Sequence, residues 1–194
     1  LQPGSNFFQE MFMRHILDET FFCRGARIVA EALLGKFLVR KIGKKEIALI
    51  ITETEAYDGP HDQASHAHRG KTKRNAVMFG KAGVWYVYLV YGMHKMLNIV
   101  TDKNDYPAAV LIRGAGEYDG PGKLTKGLHI NCTMNEKKAK QINALWIEDR
   151  GIVIAKQHIQ KTPRIGVAYA GEEWAKKPYR FLLKKPPTDK LVGS

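Results

Sequence analysis

The run Val84-Trp85-Tyr86-Val87-Tyr88-Leu89-Val90-Tyr91 decides how this chain folds. It is aromatic and β-branched throughout, a composition that suits a pleated, half-buried surface. Gly92-Met93 interrupts it, and Lys95 to Thr101 takes the pattern up again. The two stretches read as a β-hairpin with Tyr91 and Gly92 at or beside its tip. Downstream, Ala108 to Arg113 is another strand. Upstream, Lys36 to Ile42 and Glu46 to Tyr57 are two strands joined by a Gly-Lys-Lys turn. Ala26 to Leu34 reads as a short helix with Ile28, Val29, Ala32 and Leu33 on one face, stopped by Gly35. A second short helix, Leu124 to Leu128, follows the Gly120-Pro121-Gly122 turn, and Ile152 to Ala155 and Phe181 to Leu183 read as short strands. Asp58 to Gly70, rich in Gly, Pro, Asp and His, is loop. Strands outnumber helices and come in local hairpins. The expected fold is α+β: a single compact domain, 1–194, with a mainly antiparallel, curved β-sheet, flanking helices and a protruding hairpin. Residues 1–20 read as a poorly ordered or helical N-terminal extension.

Composition narrows the function. A chain of 194 residues with 44% hydrophobic content builds a core of one domain. It has no apolar run of about 18 residues, so no membrane span is expected. Leu1 to Phe8 lacks a basic stretch followed by an apolar one, so no signal peptide is expected either. Cys23 and Cys132 are too few for a disulfide framework or a cysteine-rich zinc site. Lys and Arg number 31 against 19 Asp and Glu, a formal net charge of +12. A surplus of that size attracts polyanions, nucleic acid first and an anionic membrane surface second.

Two motifs suggest themselves and fail. Gly120-Pro121-Gly122-Lys123-Leu124 hints at a phosphate-binding loop, but Glu117 stands where its first Gly belongs and Leu124 where Ser or Thr should hold magnesium. His61, His66 and His68 fit no standard zinc spacing. No metal and no organic cofactor is expected.

Three constellations carry chemistry. In Thr52-Glu53-Thr54-Glu55-Ala56-Tyr57 a strand places Glu53, Glu55 and Tyr57 on one face. Two carboxylates so spaced stand about 6.5–7 Å apart, which overlaps the separation in an inverting glycoside hydrolase. Glu53 reads better as part of a solvated edge-strand face, whereas Glu55 lies where the strand runs into a Gly-rich loop, a junction that often carries a site. The second constellation is basic: Arg69, Lys71, Lys73 and Arg74 fall within six residues, with Thr72 and Asn75 as donors, a mixture that suits phosphate contacts. The third is the aromatic hairpin. Tyr86 and Tyr88 share a face, and a Tyr at the tip is hard to bury in its own core but suited to wedging into a base stack.

Together and in this order the motifs resemble the alkylpurine-DNA glycosylase family, also described as 3-methyladenine-DNA glycosylases of the alkyladenine type. The matching blocks run from Glu53-Thr54-Glu55-Ala56-Tyr57 through Ala64-Ser65-His66, Arg74-Asn75, Met78-Phe79 and Tyr86 to Met93. They continue with Leu97-Asn98-Ile99, Val110 to Arg113, Gly120 to Leu124, Arg164-Ile165-Gly166-Val167 and Gly171 to Phe181, so the resemblance covers roughly 26–183.

The resemblance implies a monofunctional DNA glycosylase of base-excision repair. Such an enzyme flips an alkylated or deaminated purine out of double-stranded DNA and hydrolyses its N-glycosidic bond with an activated water, leaving an abasic site. By similarity Glu55 is the general base, with Arg113 and the Ile165 backbone carbonyl holding the water beside it. Tyr57, His66 and Tyr88 wall the flipped base, the Ala64 backbone and His66 meet its edge, and Asn98 crowds the exocyclic amino group of normal guanine. Tyr91 intercalates. Arg69, Lys71, Thr72, Arg74, Met93 and Lys123 contact the DNA backbone. A purine alkylated at N3 or N7 is cationic and leaves without a proton, so one carboxylate suffices for it. The family reading implies a monomer, with no membrane partner, working wherever the genome is: a nucleoid-associated cytoplasmic protein in a prokaryote, a nuclear one in a eukaryote. Two departures from the family pattern are His94 after Met93, where an aromatic is frequent, and the short path from Arg113 to Gly120. From the residues alone two other classes stay open. One is a non-catalytic DNA- or RNA-binding module, which gains nothing from an anion facing DNA. The other is a hydrolase of free nucleosides, which needs neither Tyr91 nor the basic surplus.

Overall fold

A computed structural model describes residues 14–184. In chain order the regular elements are β1 (His15–Ile16), α1 (Glu19–Phe22), α2 (Ala26–Ala32), β2 (Phe37–Ile42), β3 (Lys45–Asp58), β4 (Trp85–Val90), β5 (His94–Val100), β6 (Ala108–Ala115), β7 (Tyr118–Asp119), α3 (Pro121–Gly127), β8 (Leu145–Asp149), β9 (Ile159–Thr162), α4 (Glu172–Lys176) and β10 (Arg180–Leu183), with 3₁₀ turns between them. Among the described residues every strand pairing is antiparallel. The path runs β1-β8-β2-β3-β6-β5-β4, with β10 and β9 branching from β3 and β7 from β6.

Strand β3 organises the molecule. Its first half pairs with β2 from Lys45 to Ile50, and its second half pairs with β6 on one side and β10 on the other. Between the halves, from Ile51 to Thr54, the register shifts in a β-bulge. The bulge changes which residues face the main core. Upstream, Ile47, Leu49 and Ile51 point into it; downstream, Ala56 does, and the buried Thr54 hydroxyl donates to the Ala30 carbonyl of α2 at 2.8 Å. A one-residue slip sends a strand's whole side-chain set to the opposite face. Glu53, Glu55 and Tyr57 are thereby turned away from the helices, onto the outer face of the sheet. On that face they join Tyr86 and Tyr88 of β4, Met96 and Asn98 of β5, and Ala109, Leu111 and Arg113 of β6.

Helices α2 and α3 cover the other face. Helix α2 buries Ala26, Val29 and Ala30 against β3 and β6, with Leu33 following, at the three-to-four spacing of an amphipathic helix. Ile28, expected on that stripe, is exposed instead. Ile152 to Ala155 is not a strand. Its alternation is real, since Ile154 packs on the main core and Ile152 on the separate Phe37–Trp146 cluster, but among the described residues no backbone pairs with it. Strands β8 and β9 and helix α4 were not anticipated. Of the expected N-terminal extension, residues 1–13 lie outside the described residues; His15–Ile16 pairs with β8, and α1 begins at Glu19. Among the described residues no helix is long and apolar enough to cross a membrane, and no group of three or more His, Cys, Asp or Glu could hold a metal ion.

Candidate active site

Two connected spaces open on the outer face of the sheet. The inner one is lined by Tyr57, Ala64, His66, Met78, Tyr86, Tyr88, Asn98, Ala109 and Tyr169. The outer is a broad cleft whose lining includes Arg69, Arg74, Tyr91, Arg113, Ile165 and Tyr169; Tyr57, His66 and Tyr88 border both.

Glu55 is fully buried against this pocket. Its Oε2 accepts from the Tyr57 hydroxyl at 3.0 Å and its Oε1 from the Ile165 backbone N–H at 2.8 Å, with the Arg113 guanidinium 3.5 Å from Oε1. Donors therefore meet both oxygens, an arrangement that favours a carboxylate over a carboxylic acid. Burial works the other way and prevails: desolvation lifts Glu55 above the ordinary glutamate range, while Arg113, the Ile165 amide and Tyr57 pull it partly back. A carboxylate so raised is a stronger base than one in water.

Tyr57 and its neighbours are neutral aromatic walls. Burial holds the Tyr57 and Tyr88 hydroxyls well above the ordinary phenol range and pushes Tyr86 up to about 12. Desolvation lowers His66, helped by Arg74, so its ring is neutral at neutral pH. His66 Nδ1 lies 3.0 Å from the Tyr86 hydroxyl, and its ring meets Tyr88 edge-on with centroids 4.7 Å apart. Asn98 is buried, its amide donating to the Tyr86 carbonyl at 3.1 Å.

Two loops close the pocket, and one buried ion pair ties them. Asp62 accepts from Arg164 through both oxygens and from the backbone N–H groups of Asp58 and Ala64. Arg164 also donates to the Ala56 carbonyl, and its guanidinium lies between the rings of Tyr57 and Tyr179. The clamp fixes the backbone at Ile165, whose N–H caps Glu55.

At the hairpin tip Tyr91 has φ 51° and Gly92 φ 69°, the two positive values a type I′ turn requires. Glycine takes this conformation freely; tyrosine does so rarely and under strain. Tyr91 is 89% exposed, and Met93 beside it is exposed too.

The structure places Tyr57, Ala64, His66, Tyr88 and Asn98 on the inner space and Arg113 and Ile165 on the outer cleft, while Glu55 lines neither and reaches them through Tyr57, Arg113 and the Ile165 N–H. It differs from the sequence reading in several details. Glu53 is not on a solvated edge: β3 is internal, and Glu53 accepts from Arg113 at 3.0 Å and from Arg180. Asn75 is no phosphate donor, because its buried amide is spent on the His66 and Gly70 carbonyls. Among the basic residues Arg69 and Arg74 line the cleft, with Arg74 over the Tyr88 ring at 5.0 Å. Lys71 sits over Phe79, Thr72 shares hydrogen bonds with Asn75, and Lys123 pairs with Asp119. Ile165 meets Glu55 through its N–H. Tyr169, absent from the sequence reading, lines both spaces and donates to the Ala64 carbonyl at 2.8 Å. Its only signal is its place between two matching blocks, 164–167 and 171–181.

Comparison with known proteins points to one family. The methylpurine-DNA glycosylase family model matches residues 20–117 and 117–187, two pieces that meet at the tip of the tight β6–β7 turn. A Methanocella arvoryzae protein named "Putative 3-methyladenine DNA glycosylase" is 44% identical over 193 residues, 89% of this chain and 94% of the relative. Relatives of the same name from Anaeromyxobacter dehalogenans and Myxococcus xanthus are each 42% identical, over 178 and 177 residues. They cover 88% and 87% of this chain, and 83% and 90% of their own lengths.

Proposed function

The chain belongs to the methylpurine-DNA glycosylase family and is a DNA glycosylase of base-excision repair acting on alkylated purines; from that premise we propose how its residues divide the work. The observation that carries the proposal is a wholly buried carboxylate, Glu55, set among hydrogen-bond donors behind an aromatic pocket that opens on a basic cleft.

Double-stranded DNA lies across the cleft, its phosphates met by Arg69, Lys71, Thr72, Arg74, Met93 and Lys123. Tyr91 enters the base stack where the damaged nucleotide leaves it. Extrusion costs a few kcal/mol, least at a damaged site. Stacking of the flipped base on Tyr57, His66 and Tyr88 offsets that by about 1–3 kcal/mol per aromatic contact. An electron-poor, cationic alkylpurine gains most from π-rich walls. His66 and the Ala64 backbone read the base edge, and Asn98 crowds the amino group of an undamaged guanine.

Glu55 then takes a proton from a water held by Arg113 and the Ile165 backbone, and that water attacks the sugar C1′ as the base departs. The developing oxocarbenium charge is stabilised by the same carboxylate. A base alkylated at N3 or N7 leaves as a neutral molecule and needs no acid. Among the described residues no lysine lines the pocket or the cleft, so the product is an abasic site in an unbroken strand. The enzyme acts as a monomer without metal or cofactor, in the compartment that holds the genome.

Incubating the protein with a duplex carrying one N7-methylguanine and separating free base from DNA tests this reading. Release of base with the strand intact until alkali treatment is expected. Strand cleavage without alkali contradicts the monofunctional mechanism, and tight binding without base release favours a pure binding module.

A further inference from the structure

Glu53 precedes Glu55 on the same face of β3 and carries more ionic contacts than Glu55 does. Its Oε1 alone accepts from the Nε of Arg113 at 3.0 Å and from the Nε of Arg180 at 2.5 Å. Arg113 comes from β6 and Arg180 from β10, so one carboxylate ties the strands on both sides of β3. Arg180 stands opposite Glu55 in the backbone register, yet its guanidinium donates to Glu53 and, at 3.5 Å, to the Thr162 hydroxyl. Arg113 reaches Glu55 only with its second nitrogen, at 3.5 Å. Gly114, opposite the bulge, makes the room: a Cβ there would sit 3.3 Å from the Glu53 Cβ, 3.1 Å from the Thr52 hydroxyl and 3.2 Å from the Tyr118 carbonyl oxygen.

We propose that Glu53 is a positioning residue for base release, drawing Arg113 and Arg180 off Glu55 so that Glu55 keeps the proton affinity a general base needs. The proposal rests on the reading of Glu55 as that base. Cations beside a carboxylate stabilise its ionised form and weaken it as a base. With Glu53 in place the cluster holds two cations and two anions. Without it, Arg113 keeps Glu55 as its carboxylate partner, and Arg180, whose other partner is the Thr162 hydroxyl at 3.5 Å, is left opposite Glu55 in the register. The negative charge of Glu53 also acts directly, raising Glu55 while Arg113 lowers it. The other charged or titratable groups that bear on Glu55 are Tyr57 on its own strand, Tyr88 on β4, and Arg164 and Tyr169 on the segment after β9. Of these groups only Glu53 bonds both Arg113 and Arg180.

The test is the pH dependence of single-turnover base release from a duplex with one N7-methylguanine, for the wild type, Glu53→Gln and Arg180→Gln. The leaving base is already cationic, so the acid limb reports the base alone. In Glu53→Gln the limb moves to lower pH by about half a unit or more, and the plateau falls about 3- to 10-fold as the base weakens. In Arg180→Gln one cation is gone and Glu53 holds Arg113 undivided, so the limb moves to higher pH. Opposite displacements are the signature, because a general loosening of the site shifts both variants alike. Limbs that stay put, or that move in the same direction, overturn the proposal. Should Glu53→Gln fail to fold, Arg180→Gln decides alone: an upward limb supports the assignment, and an unmoved or downward one overturns it. Failure of the underlying reading looks different, because then Glu55→Gln releases base about as fast as the wild type.

Discussion

The pocket floor and the hairpin tip hold their central residues at opposite extremes of exposure. Glu55 is 0% exposed and Tyr91 89%. Both are choices that a chain selected for stability alone would avoid. At the floor the cost is electrostatic, an anion withdrawn from water and only partly compensated by Arg113, Tyr57 and the Ile165 amide. At the tip it is conformational, a tyrosine backbone in the left-handed region with its ring in solvent. The floor can be completed from within the protein, because proton transfer needs a dry, fixed geometry. The tip is completed only by a partner, because its ring has nothing of its own to pack on. On the proposed division of labour, chemistry and extrusion are lodged in separate regions and should fail separately.

The largest expected effect breaks the floor and leaves the tip alone. Asp62→Ala strands Arg164 as a buried, unpaired cation and frees the loop that presents Ile165 to Glu55. Removing one partner of a buried pair costs about 3–5 kcal/mol, so thermal unfolding should come about 10 °C lower. A change under about 1 kcal/mol would show that the clamp does not hold the floor. At the tip, Tyr91→Asn removes the ring and tolerates the positive φ. Lesion-duplex affinity should fall about 10-fold, about 1.4 kcal/mol, while stability rises by about 0.5–1 kcal/mol. Unchanged affinity would remove Tyr91 from the wedge role. A finer cut separates stacking from tuning: Tyr57→Phe keeps the ring but deletes the donor 3.0 Å from Glu55. Because that bond lowers the Glu55 pKa, the acid limb of the rate should move up while lesion affinity holds; a loss of affinity alone would reverse the assignment.

The smallest effect concerns stability against pH. Burial raises Glu55 above its unfolded value. Its contribution to stability is therefore fullest below the ordinary glutamate range and is lost as pH rises through the folded value. Glu55→Gln should accordingly melt at a slightly higher temperature than the wild type at neutral pH, with the gap closing on acidification. A gap that widens toward acid would contradict the raised value.

Much of this was legible in the sequence because the relevant signals are local. The hairpin announced itself by β-branched and aromatic runs around Gly92, and Glu55 by its place where a strand meets a Gly-rich loop. What escaped depends on register and on distant partners. The bulge leaves no clean mark in the sequence, because Ala48 and Ile50 are apolar as well as Ile47, Leu49 and Ile51, each set packing on a different cluster. Glu53 reads as solvated from the sequence because nothing local announces β10, some 125 residues later, which pairs with that strand and brings Arg180. Asn75 looked like a free donor because nothing local shows that its amide closes a loop. Tyr169 and the Asp62–Arg164 clamp join segments about 100 residues apart, a distance no local pattern spans.

The separation of chemistry from binding is tested most directly by one protein, Glu55→Gln, assayed twice on the same alkylated duplex. Single-turnover release of base should drop by about 10²–10⁴-fold, the contribution of a positioned base, while the equilibrium affinity for the lesion stays within about threefold of the wild type. Base release that survives the substitution, or affinity that collapses along with it, would contradict the account.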